Sequence, residues 1–342
     1  MKGIQIREHG GVDRLELVDL PEPQRNAGHA LVEVRAIALN HLDLWVRRGV
    51  PGHRFPLPII PGSEASGVLL EGGEQNGWKP GDEVIVAPSF SCGVCAACLS
   101  GNDPLCRDFG IYGESFDGMS RERVAVPVRN LIRKPARLSF EEAAAVPLDF
   151  LTAWHMLVAR ARVRPGETVL VQAGGSGVGS AALQIAKLWG ASVYTTVGSS
   201  EKLKRARAFG PDAIINYRAT DFVDEIRRLT LRRGVDIVVE HVGGETFEKS
   251  IRALARGGRL VTCGATTGAD VSINLRLVFF KLISILGSTM GSLAELHEVI
   301  GHVDAGRLSP VVDRVLPFEE VGKGHEILEN REAFGKVVLR VK

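Results

Sequence analysis

The chain has 342 residues, of which 45% are hydrophobic and 24% are charged, and its formal net charge at pH 7 is +2. This length allows two domains, and a charge so near zero gives no field that attracts nucleic acid or a membrane surface. The N-terminus has no apolar signal core. The most apolar stretch, residues 275–287, carries Arg276 and Lys281 and is too short to span a bilayer. We expect a cytoplasmic protein that binds neither nucleic acid nor membrane.

The first part of the chain, up to about residue 147, is rich in glycine, proline and short β-branched runs. Residues 30–35, 66–70 and 82–86 are such runs, and turn residues separate them. Short strands between turn signals predict a compact β-rich domain.

The pattern then changes to a strict alternation of strands and helices, which predicts an α/β fold with a parallel sheet covered on both faces. After about residue 290 the pattern becomes mixed again, and we expect this last segment to rejoin the first domain. The predicted strands are 168–172, 192–197, 213–216, 235–240 and 258–263, and the predicted helices are 179–188, 201–209, 220–231 and 245–255.

Four of the five cysteines, Cys92, Cys95, Cys98 and Cys106, lie within fifteen residues. In a reducing compartment such clustering favours metal over disulfides. Two gaps of two residues predict tetrahedral zinc, and four thiolates leave no vacant position for water or substrate. We therefore predict one structural zinc per chain, with four buried free thiols as the alternative. Cys263 stands alone on a predicted strand, where we expect it to be part of the core.

A glycine-rich turn, "VQAGGSGVGS", links the first strand of the alternation to a helix. Such a turn lets backbone N–H groups at the helix N-terminus approach a pyrophosphate. A nucleotide-binding site is therefore predicted here, with Ser176 in the place of the usual middle glycine. The residues of the turn are Gly174, Gly175, Ser176, Gly177, Val178 and Gly179.

The residues after the second strand of the alternation bear on the choice of nucleotide. An NAD site usually has an acidic residue there, bonded to the ribose hydroxyls, whereas this chain has Gly198, Ser199 and Ser200, followed by Lys202. Hydroxyls and a lysine accept a 2′-phosphate that an acid would repel, so NADP(H) is favoured over NAD(H). The alternative is that Ser199 or Ser200 only caps the next helix.

In combination, these features resemble the medium-chain dehydrogenase/reductase superfamily, which includes zinc alcohol dehydrogenases and quinone reductases. The resemblance rests on "GHALVEVRAIALNHLDLWVRRG", "PLPIIPGSEASGVL", "KPGDEVIV", the cysteine cluster, the glycine turn and "VLPFEEV" with "FGKVVL". It implies a GroES-like catalytic domain at 1–150, with a zinc lobe at about 90–107, and a Rossmann domain at 151–290. It also implies that residues 291–342 return to the catalytic domain.

Zinc alcohol dehydrogenases of this family carry a second, catalytic zinc, and the matching ligand positions here are Asn40, Ser63 and either Leu148 or Asp149. Amide and hydroxyl oxygens are poor zinc ligands, so no catalytic zinc is expected, and these positions resemble those of quinone and enone reductases. The resemblance then implies that Asn40 polarises a substrate carbonyl and that Asp43 supports it. Ser63 and Glu64 would line the pocket or relay protons. For Asp43 and Glu64, plain structural hydrogen bonding is the alternative.

The resemblance also implies contacts to the cofactor outside the glycine turn. Thr152 matches a threonine that packs on the nicotinamide, and His41 and Lys336 match basic positions near the pyrophosphate. Ala265 lies in the loop over the cofactor. The expected activity is hydride transfer between NAD(P) and a small carbonyl substrate, with a quinone or enone as the first choice of acceptor. An alcohol/aldehyde pair is the alternative, and a cofactor-binding protein with little turnover is the third possibility.

Residues 275–290 are too apolar for a solvated segment, and residues 283–287 are predicted to form the last strand of the Rossmann sheet. An edge strand offers unpaired backbone groups to another chain, and members of the superfamily commonly pair such strands across a two-fold axis. We therefore expect a homodimer or a dimer of dimers. The alternative is that Val278, Phe279 and Phe280 pack inward within one subunit.

Overall fold

The computed structural model describes residues 1–341, which divide into two compact units. The first contains Met1–Leu148 together with the segment that starts at Ser292, and the second contains Asp149–Gly291. The strands are β1 Lys2–Gln5, β2 Glu16–Asp19, β3 His29–Ala38, β4 Glu64–Glu71, β5 Glu83–Val86, β6 Ser89–Phe90, β7 Gly110–Ile111, β8 Arg123–Pro127, β9 Leu131–Arg133, β10 Thr168–Val171, β11 Ser192–Val197, β12 Ala213–Asn216, β13 Val235–Glu240, β14 Leu254–Thr262, β15 Ser284–Gly287, β16 Val312–Pro317 and β17 Lys336–Arg340.

The helices alternate with the strands in the second unit and are outnumbered by the strands in the first. A π-helical segment, His155–Arg160, follows the fourth helix. The α-helices are α1 His41–Arg48, α2 Ala96–Leu99, α3 Phe140–Ala144, α4 Pro147–Trp154, α5 Gly177–Leu188, α6 Ser200–Ala206, α7 Phe222–Leu229, α8 Phe247–Ala253, α9 Leu275–Lys281, α10 Leu293–Asp304 and α11 Val321–Glu329.

The first unit is built on a seven-stranded sheet in the order β16-β17-β3-β4-β5-β9, with β8 also paired to β3. Along β3, Ala30, Val32 and Val34 are fully buried and alternate with partly exposed residues. This period of two puts one face of the strand on the core. The predicted strands at 30–35 and 66–70 fall within β3 and β4, the one at 82–86 begins one residue before β5, and the expected β-rich domain is confirmed.

The second unit contains a six-stranded sheet in the order β12-β11-β10-β13-β14-β15, and every neighbouring pair is parallel. Its central strands are buried along their length, as the apolar run in β10 and β13 requires. The α/β fold with a parallel sheet is thus confirmed. Three predicted strands, 192–197, 213–216 and 235–240, coincide with β11, β12 and β13.

The helix bounds differ from the prediction where a cap or a left-handed residue intervenes. Helix α7 begins at Phe222 because the Asp221 carboxylate accepts the Val223 N–H at 2.8 Å, and it ends before Leu231, whose φ is +49°. Strand β14 begins four residues earlier than expected and ends at Thr262, so Cys263 lies just beyond the strand. Burial raises the pKa of the Cys263 thiol to about 12. Within residues 1–341, no helix is both long and apolar enough to cross a membrane.

Candidate functional site

The four clustered cysteines of the first unit bring their sulfur atoms together. All four Sγ atoms lie within 4.8 Å of one another, and Cys98 Sγ is 3.9 Å from Cys92 Sγ and 3.6 Å from Cys95 Sγ. Four sulfurs around a zinc ion, at Zn–S distances of about 2.3 Å, are about 3.8 Å apart. The cluster therefore fits a tetrahedral four-thiolate zinc site. Between residues 1 and 341, no other three or more His, Cys, Asp or Glu side chains bring their ligand atoms within 4.8 Å of one another.

The backbone of this lobe is arranged to favour thiolates. The Cys95 N–H donates to Cys92 Sγ at 3.3 Å, and the N–H groups of Cys92 and Asp108 donate to Cys106 Sγ at 3.4 Å each. Backbone N–H groups of Val94 and Cys95 lower the pKa of the Cys92 thiol to about 6. Three of the cysteines are partly exposed and only Cys106 is buried, which argues against four buried free thiols.

The lobe is tied to the C-terminal segment of the same unit. The Asp103 carboxylate accepts the Leu293 N–H at 2.7 Å, at the first residue of α10. Ser292 caps the same helix, and its side chain accepts the Glu295 N–H. Asp103 therefore adds a second acceptor for the unpaired N–H groups at this helix start.

A buried charged cluster in the first unit brings together residues that are far apart in the sequence. Lys336 Nζ donates to Glu64 Oε1 at 2.7 Å and to Asn40 Oδ1 at 2.5 Å. Asn40 Nδ2 also donates to Glu64 Oε1, at 3.0 Å, and the Leu148 N–H donates to Glu64 Oε2 at 2.6 Å. All three side chains are at most 5% exposed. Full pairing of this kind is what makes a buried charge tolerable.

Asp43 fixes the backbone that carries Asn40. Its Oδ2 accepts the Asn40 N–H at 2.7 Å, and its Oδ1 accepts the Gly62 N–H at 3.0 Å. Burial raises the pKa of Asp43 to about 6, against the opposing effect of these hydrogen bonds and of the Lys336 charge. The structure thus brings three of the four predicted catalytic residues, Asn40, Asp43 and Glu64, into one network with Lys336.

Ser63 and His41 lie beside this network in the sequence but differ in their contacts. Ser63 is fully buried, and its hydroxyl has no hydrogen-bond partner among the described residues. His41 is the first residue of α1 and is partly buried. The contact of Lys336 with Glu64 was not foreseen, because 272 residues separate the two in the chain. The contacts of Lys336 and His41 with a cofactor pyrophosphate stay predictions.

The glycine turn of the second unit leads from β10 into α5 with a tightly held backbone. Ser176 caps the helix, since its Oγ accepts the Gly179 N–H at 2.9 Å, and the Ser176 N–H donates to the Ala173 carbonyl at 2.9 Å. A Cβ atom at Gly179 would lie 2.3 Å from the Ala173 carbonyl oxygen, so only glycine fits there. A twelve-residue helix that starts at such a turn fits a pyrophosphate.

The end of β11 carries the serines expected near the adenosine ribose. Ser199 caps α6, and its Oγ accepts the Lys202 N–H at 3.2 Å, so the capping role predicted as an alternative is present. Tyr217, which directly follows β12, was missed from the sequence. A Cβ atom at Gly198 would lie 2.5 Å from the Tyr217 hydroxyl, so this phenol lies beside the same strand end. Parallel strands end at a shared edge, and that rule could have revealed Tyr217.

The two remaining predicted cofactor residues also lie in the second unit. Thr152 is 5% exposed in α4, and its hydroxyl lies 3.9 Å from the sulfur of Met290. Ala265 is partly buried in the loop after β14, where its carbonyl accepts the Gly268 N–H at 3.2 Å. Their contacts with a cofactor stay predictions.

Two family models match most of the chain. The alcohol dehydrogenase GroES-like domain matches residues 26–136, and the zinc-binding dehydrogenase domain matches residues 177–305. The acryloyl-coenzyme A reductase of Metallosphaera sedula is 32% identical over 99% of both chains. The chain belongs to the zinc-type alcohol dehydrogenase family of the medium-chain dehydrogenase/reductase superfamily. It is therefore an NAD(P)-dependent oxidoreductase.

Other members of this zinc-type alcohol dehydrogenase family carry different names for their activities. A solved structure of an NAD-dependent alcohol dehydrogenase is 48% identical, with a TM-score of 0.95 and full coverage of both chains. The quinone oxidoreductase of Homo sapiens is 28% identical over 99% of this chain and 97% of its own. Membership therefore establishes the type of chemistry and the cofactor class, and the substrate has to be inferred from the site.

Proposed function

We propose that this enzyme uses NADP(H) to reduce a quinone or a conjugated carbonyl compound, without a catalytic zinc. The observation that carries the proposal is the buried Lys336 ammonium bonded to Asn40 and Glu64. Asn40 stands at the position where zinc alcohol dehydrogenases have their first catalytic zinc ligand.

The donor set at these positions does not suit a second zinc. Asn40 offers an amide and Ser63 a hydroxyl, whereas zinc sites in proteins use thiolate, imidazole or carboxylate. The Asn40 and Glu64 oxygens already accept hydrogen bonds from a cation. A zinc ion bound to these oxygens would be repelled by the ammonium at short range in a low-dielectric surrounding.

A bound nicotinamide would supply a hydride, which a quinone or enone would take up together with one proton from solvent. Such an acceptor is already electrophilic, so it needs no metal to activate a hydroxyl group. The residues proposed to hold the cofactor are Gly174 to Gly179 for the pyrophosphate, His41 and Lys336 near it, Thr152 and Ala265 near the nicotinamide, and Gly198, Ser199, Ser200 and Lys202 near the ribose.

Asn40 is proposed to orient the substrate carbonyl. Its Nδ2 already donates to the Ala38 carbonyl at 3.2 Å and to Glu64 at 3.0 Å, so a substrate oxygen has to replace one of these acceptors. Asp43 holds the Asn40 backbone in place. The buried Ser63 hydroxyl, which lacks a partner among the described residues, is proposed to line the pocket or relay a proton.

The decisive experiment combines metal analysis with a substrate screen. The purified protein is expected to hold one zinc per chain and to oxidise NADPH, followed at 340 nm, with quinones or enones faster than with simple aldehydes. The alternative is an alcohol dehydrogenase, which the 48% identity to a solved NAD-dependent alcohol dehydrogenase favours. Two tightly bound zinc ions, with NAD-dependent oxidation of an alcohol, would contradict the proposal and support the alternative.

The preference for NADP(H) is proposed from the missing acidic residue after β11 and from Lys202. We expect Lys202→Ala to raise the KM for NADPH more than the KM for NADH, because the lost charge faces a phosphate that NADH lacks. The backbone N–H at position 202 can still donate to Ser199 Oγ in the variant, so the helix cap is kept. Lys204→Ala, which removes the same charge from an exposed position of α6, is the control. Equal effects on both cofactors, or a native preference for NADH, would contradict this prediction.

A homodimer is proposed as the working form, in the cytoplasm. Strand β15 is an edge of the six-stranded sheet, and large apolar side chains of β15 and of the preceding helix α9 are exposed. Phe279 and Phe280 are 58% and 65% exposed, so they do not pack inward within the subunit. Of the three residues 278–280, only Val278 packs partly against the core. An exposed apolar patch next to an unpaired edge fits a second copy of the same surface.

A further inference from the structure

A buried chain of hydrogen bonds runs beneath the glycine turn of the second unit. The Ala173 N–H donates to Thr196 Oγ1 at 3.0 Å, and the Thr196 hydroxyl donates to Gln172 Oε1 at 2.7 Å. Gln172 Nε2 donates to Ser250 Oγ at 3.0 Å, and the Ser250 hydroxyl donates to Glu240 Oε2 at 2.6 Å. The four side chains are at most 1% exposed. The chain thus links β11, β10, α8 and β13.

All the hydrogen bonds in this buried chain donate in one direction, towards the carboxylate of Glu240. Glu240 also accepts the N–H groups of Val242 and Gly243, at 2.7 and 3.2 Å, and the Thr246 hydroxyl at 2.9 Å. The Ser250 hydroxyl donates its one hydrogen to Glu240, so its oxygen is left to accept from Gln172 Nε2. That direction then fixes the amide of Gln172 and the hydroxyl of Thr196 in turn. Such aligned hydrogen bonds strengthen one another in a low-dielectric interior.

The chain ends at the residue that bends the backbone into the turn. Ala173 has a φ of +49°, in the left-handed region that alanine adopts only at a cost. Its N–H is held by Thr196, and its carbonyl accepts both the N–H and the hydroxyl of Ser176, each at 2.9 Å. The strained residue is thus fixed on both sides.

The residue after Glu240 holds the other side of the same turn. His241 Nε2 lies 3.0 Å from Ser176 Oγ, and the ring is 8% exposed. Burial lowers the pKa of His241 to about 4, which keeps the ring neutral at pH 7. Glu240 is therefore connected to Ala173 through the hydrogen-bond chain, and His241, the next residue, contacts Ser176 directly.

We propose that Glu240 and His241, with Ser250, Gln172 and Thr196, are positioning residues that preset the glycine turn for the diphosphate of the dinucleotide. The inference rests on the proposed cofactor site. A turn that is already held in its strained form binds without a further ordering cost, so the network contributes to cofactor affinity and not to hydride transfer itself.

The test compares two threonines that are neighbours on β11. Thr196→Val removes the hydroxyl that joins Ala173 to Gln172. Thr195→Val removes an equally buried hydroxyl, which donates to the Val171 carbonyl at 2.8 Å and lies outside the chain. Both changes keep the side-chain shape and both cost stability. We expect Thr196→Val to raise the Kd for NADP(H) and for ADP by roughly tenfold, the effect of one lost buried hydrogen bond. At saturating cofactor, kcat should stay within about twofold of wild type.

Binding is measured by titration calorimetry at a temperature where circular dichroism shows each variant folded. Thr195→Val is expected to change the Kd by less than about twofold. Ser250→Ala, at the far end of the chain, should weaken binding in the same direction as Thr196→Val, and it decides the question if Thr196→Val does not fold. Wild-type affinity in the folded Thr196→Val or Ser250→Ala variant, or an equal loss in Thr195→Val, would overturn the inference. A wild-type protein that binds no dinucleotide would instead overturn the proposed cofactor site.

Discussion

Lys336 carries a full positive charge at a position that is 4% exposed, and Glu64, at 0%, carries the matching negative charge. Desolvation of two ions is costly, and their attraction offsets it only while both remain. The pair therefore adds little net stability, and its main effect is to fix the positions of Asn40 and the Leu148 N–H. Its value lies in holding these groups at fixed positions.

We expect Lys336→Met to lower the free energy of unfolding by about 3–5 kcal/mol, because it leaves the Glu64 carboxylate buried without its cation. The double variant Glu64→Gln/Lys336→Met should cost less than the sum of the single changes. Urea denaturation measures each value. Lys187→Met is the control, since Lys187 forms a half-exposed pair with Asp212 at 3.2 Å and should cost within about 1 kcal/mol. A loss in Lys336→Met no larger than in this control would contradict the expectation.

Asp43 makes the stability of the first unit depend on pH. Its pKa rises from 3.8 in the unfolded chain to about 6 in the fold, so the folded protein binds a proton that the unfolded chain releases. The stabilising contribution is present below about pH 4 and is lost as the pH rises towards 6. A rise from 3.8 to about 6 corresponds to roughly 3 kcal/mol.

The expected result is a difference in unfolding free energy between wild type and Asp43→Asn that falls by roughly 2.4 kcal/mol from pH 4 to pH 7, because part of the full effect lies below pH 4. Asparagine does not titrate, and the other titrating groups cancel in the difference. Urea denaturation at several pH values gives this curve. A difference that does not vary with pH would show that Asp43 keeps an ordinary pKa in the fold.

Among the elements, the cysteine lobe is the one whose shape we expect to depend on a metal. Apart from the short α2, a 3-10 helix at Asp103–Leu105 and the two-stranded pair of β6 with β7, the lobe has no regular structure, and its four sulfurs face one another. Repulsion between thiolates would open it without a cation. Because Asp103 of the lobe caps α10, loss of the metal also removes an acceptor from that helix start.

Cys95→Ser is expected to lower the zinc content from one per chain towards zero and to lower the Tm, since bound metal contributes folding free energy directly. Cys263→Ser is the matched control, because Cys263 is the fifth cysteine and lies outside the lobe. Elemental analysis of dialysed protein and thermal denaturation provide the measurements. Equal zinc in both variants would show that the four thiolates do not hold the metal.

Local patterns were sufficient to predict the strands of the second unit and the cysteine cluster, and insufficient to predict contacts between side chains of separate elements. The strands of the second unit follow from short apolar runs between turn residues, and the glycine turn follows from its place after β10. Helix ends were displaced by side-chain caps such as Asp221, which propensity alone does not locate. The contacts of Lys336 with Glu64, and of Gln172 with Thr196 and Ser250, join separate strands and helices. No periodicity within one element encodes such contacts.

At the scale of the whole molecule, the second unit leaves one edge of its sheet open. Strand β15 pairs only with β14 among the described strands, and its own Ile285 is exposed, as are Phe279 and Phe280 of α9, the helix that precedes it in the chain. Exposed edges of this kind are usually covered or blunted. A two-fold pairing of β15 with its copy would cover this edge and the patch together.

Wild-type protein is expected to run in light scattering as a dimer of 36.9 kDa chains. Ile285→Lys should shift it towards the monomer, because a two-fold axis places the new charge on both sides of the interface. Leu231→Lys is the control, since Leu231 is 92% exposed and lies outside α9 and β15. A wild-type monomer at micromolar concentration would refute the dimer.

The position of β17 has a consequence for synthesis on the ribosome. The order β16-β17-β3 inserts β17, which is made after the whole second unit, beside β3, which is made before it. Until β17 leaves the exit tunnel, Ala36 to Ala38 of β3 lack their pairing partners in β17, and Glu64 lacks Lys336. The second unit is contiguous and its six strands are complete well before that moment. A nascent chain therefore passes through a period in which the nucleotide-binding unit is finished while the first unit exposes an open strand edge and an unneutralised carboxylate.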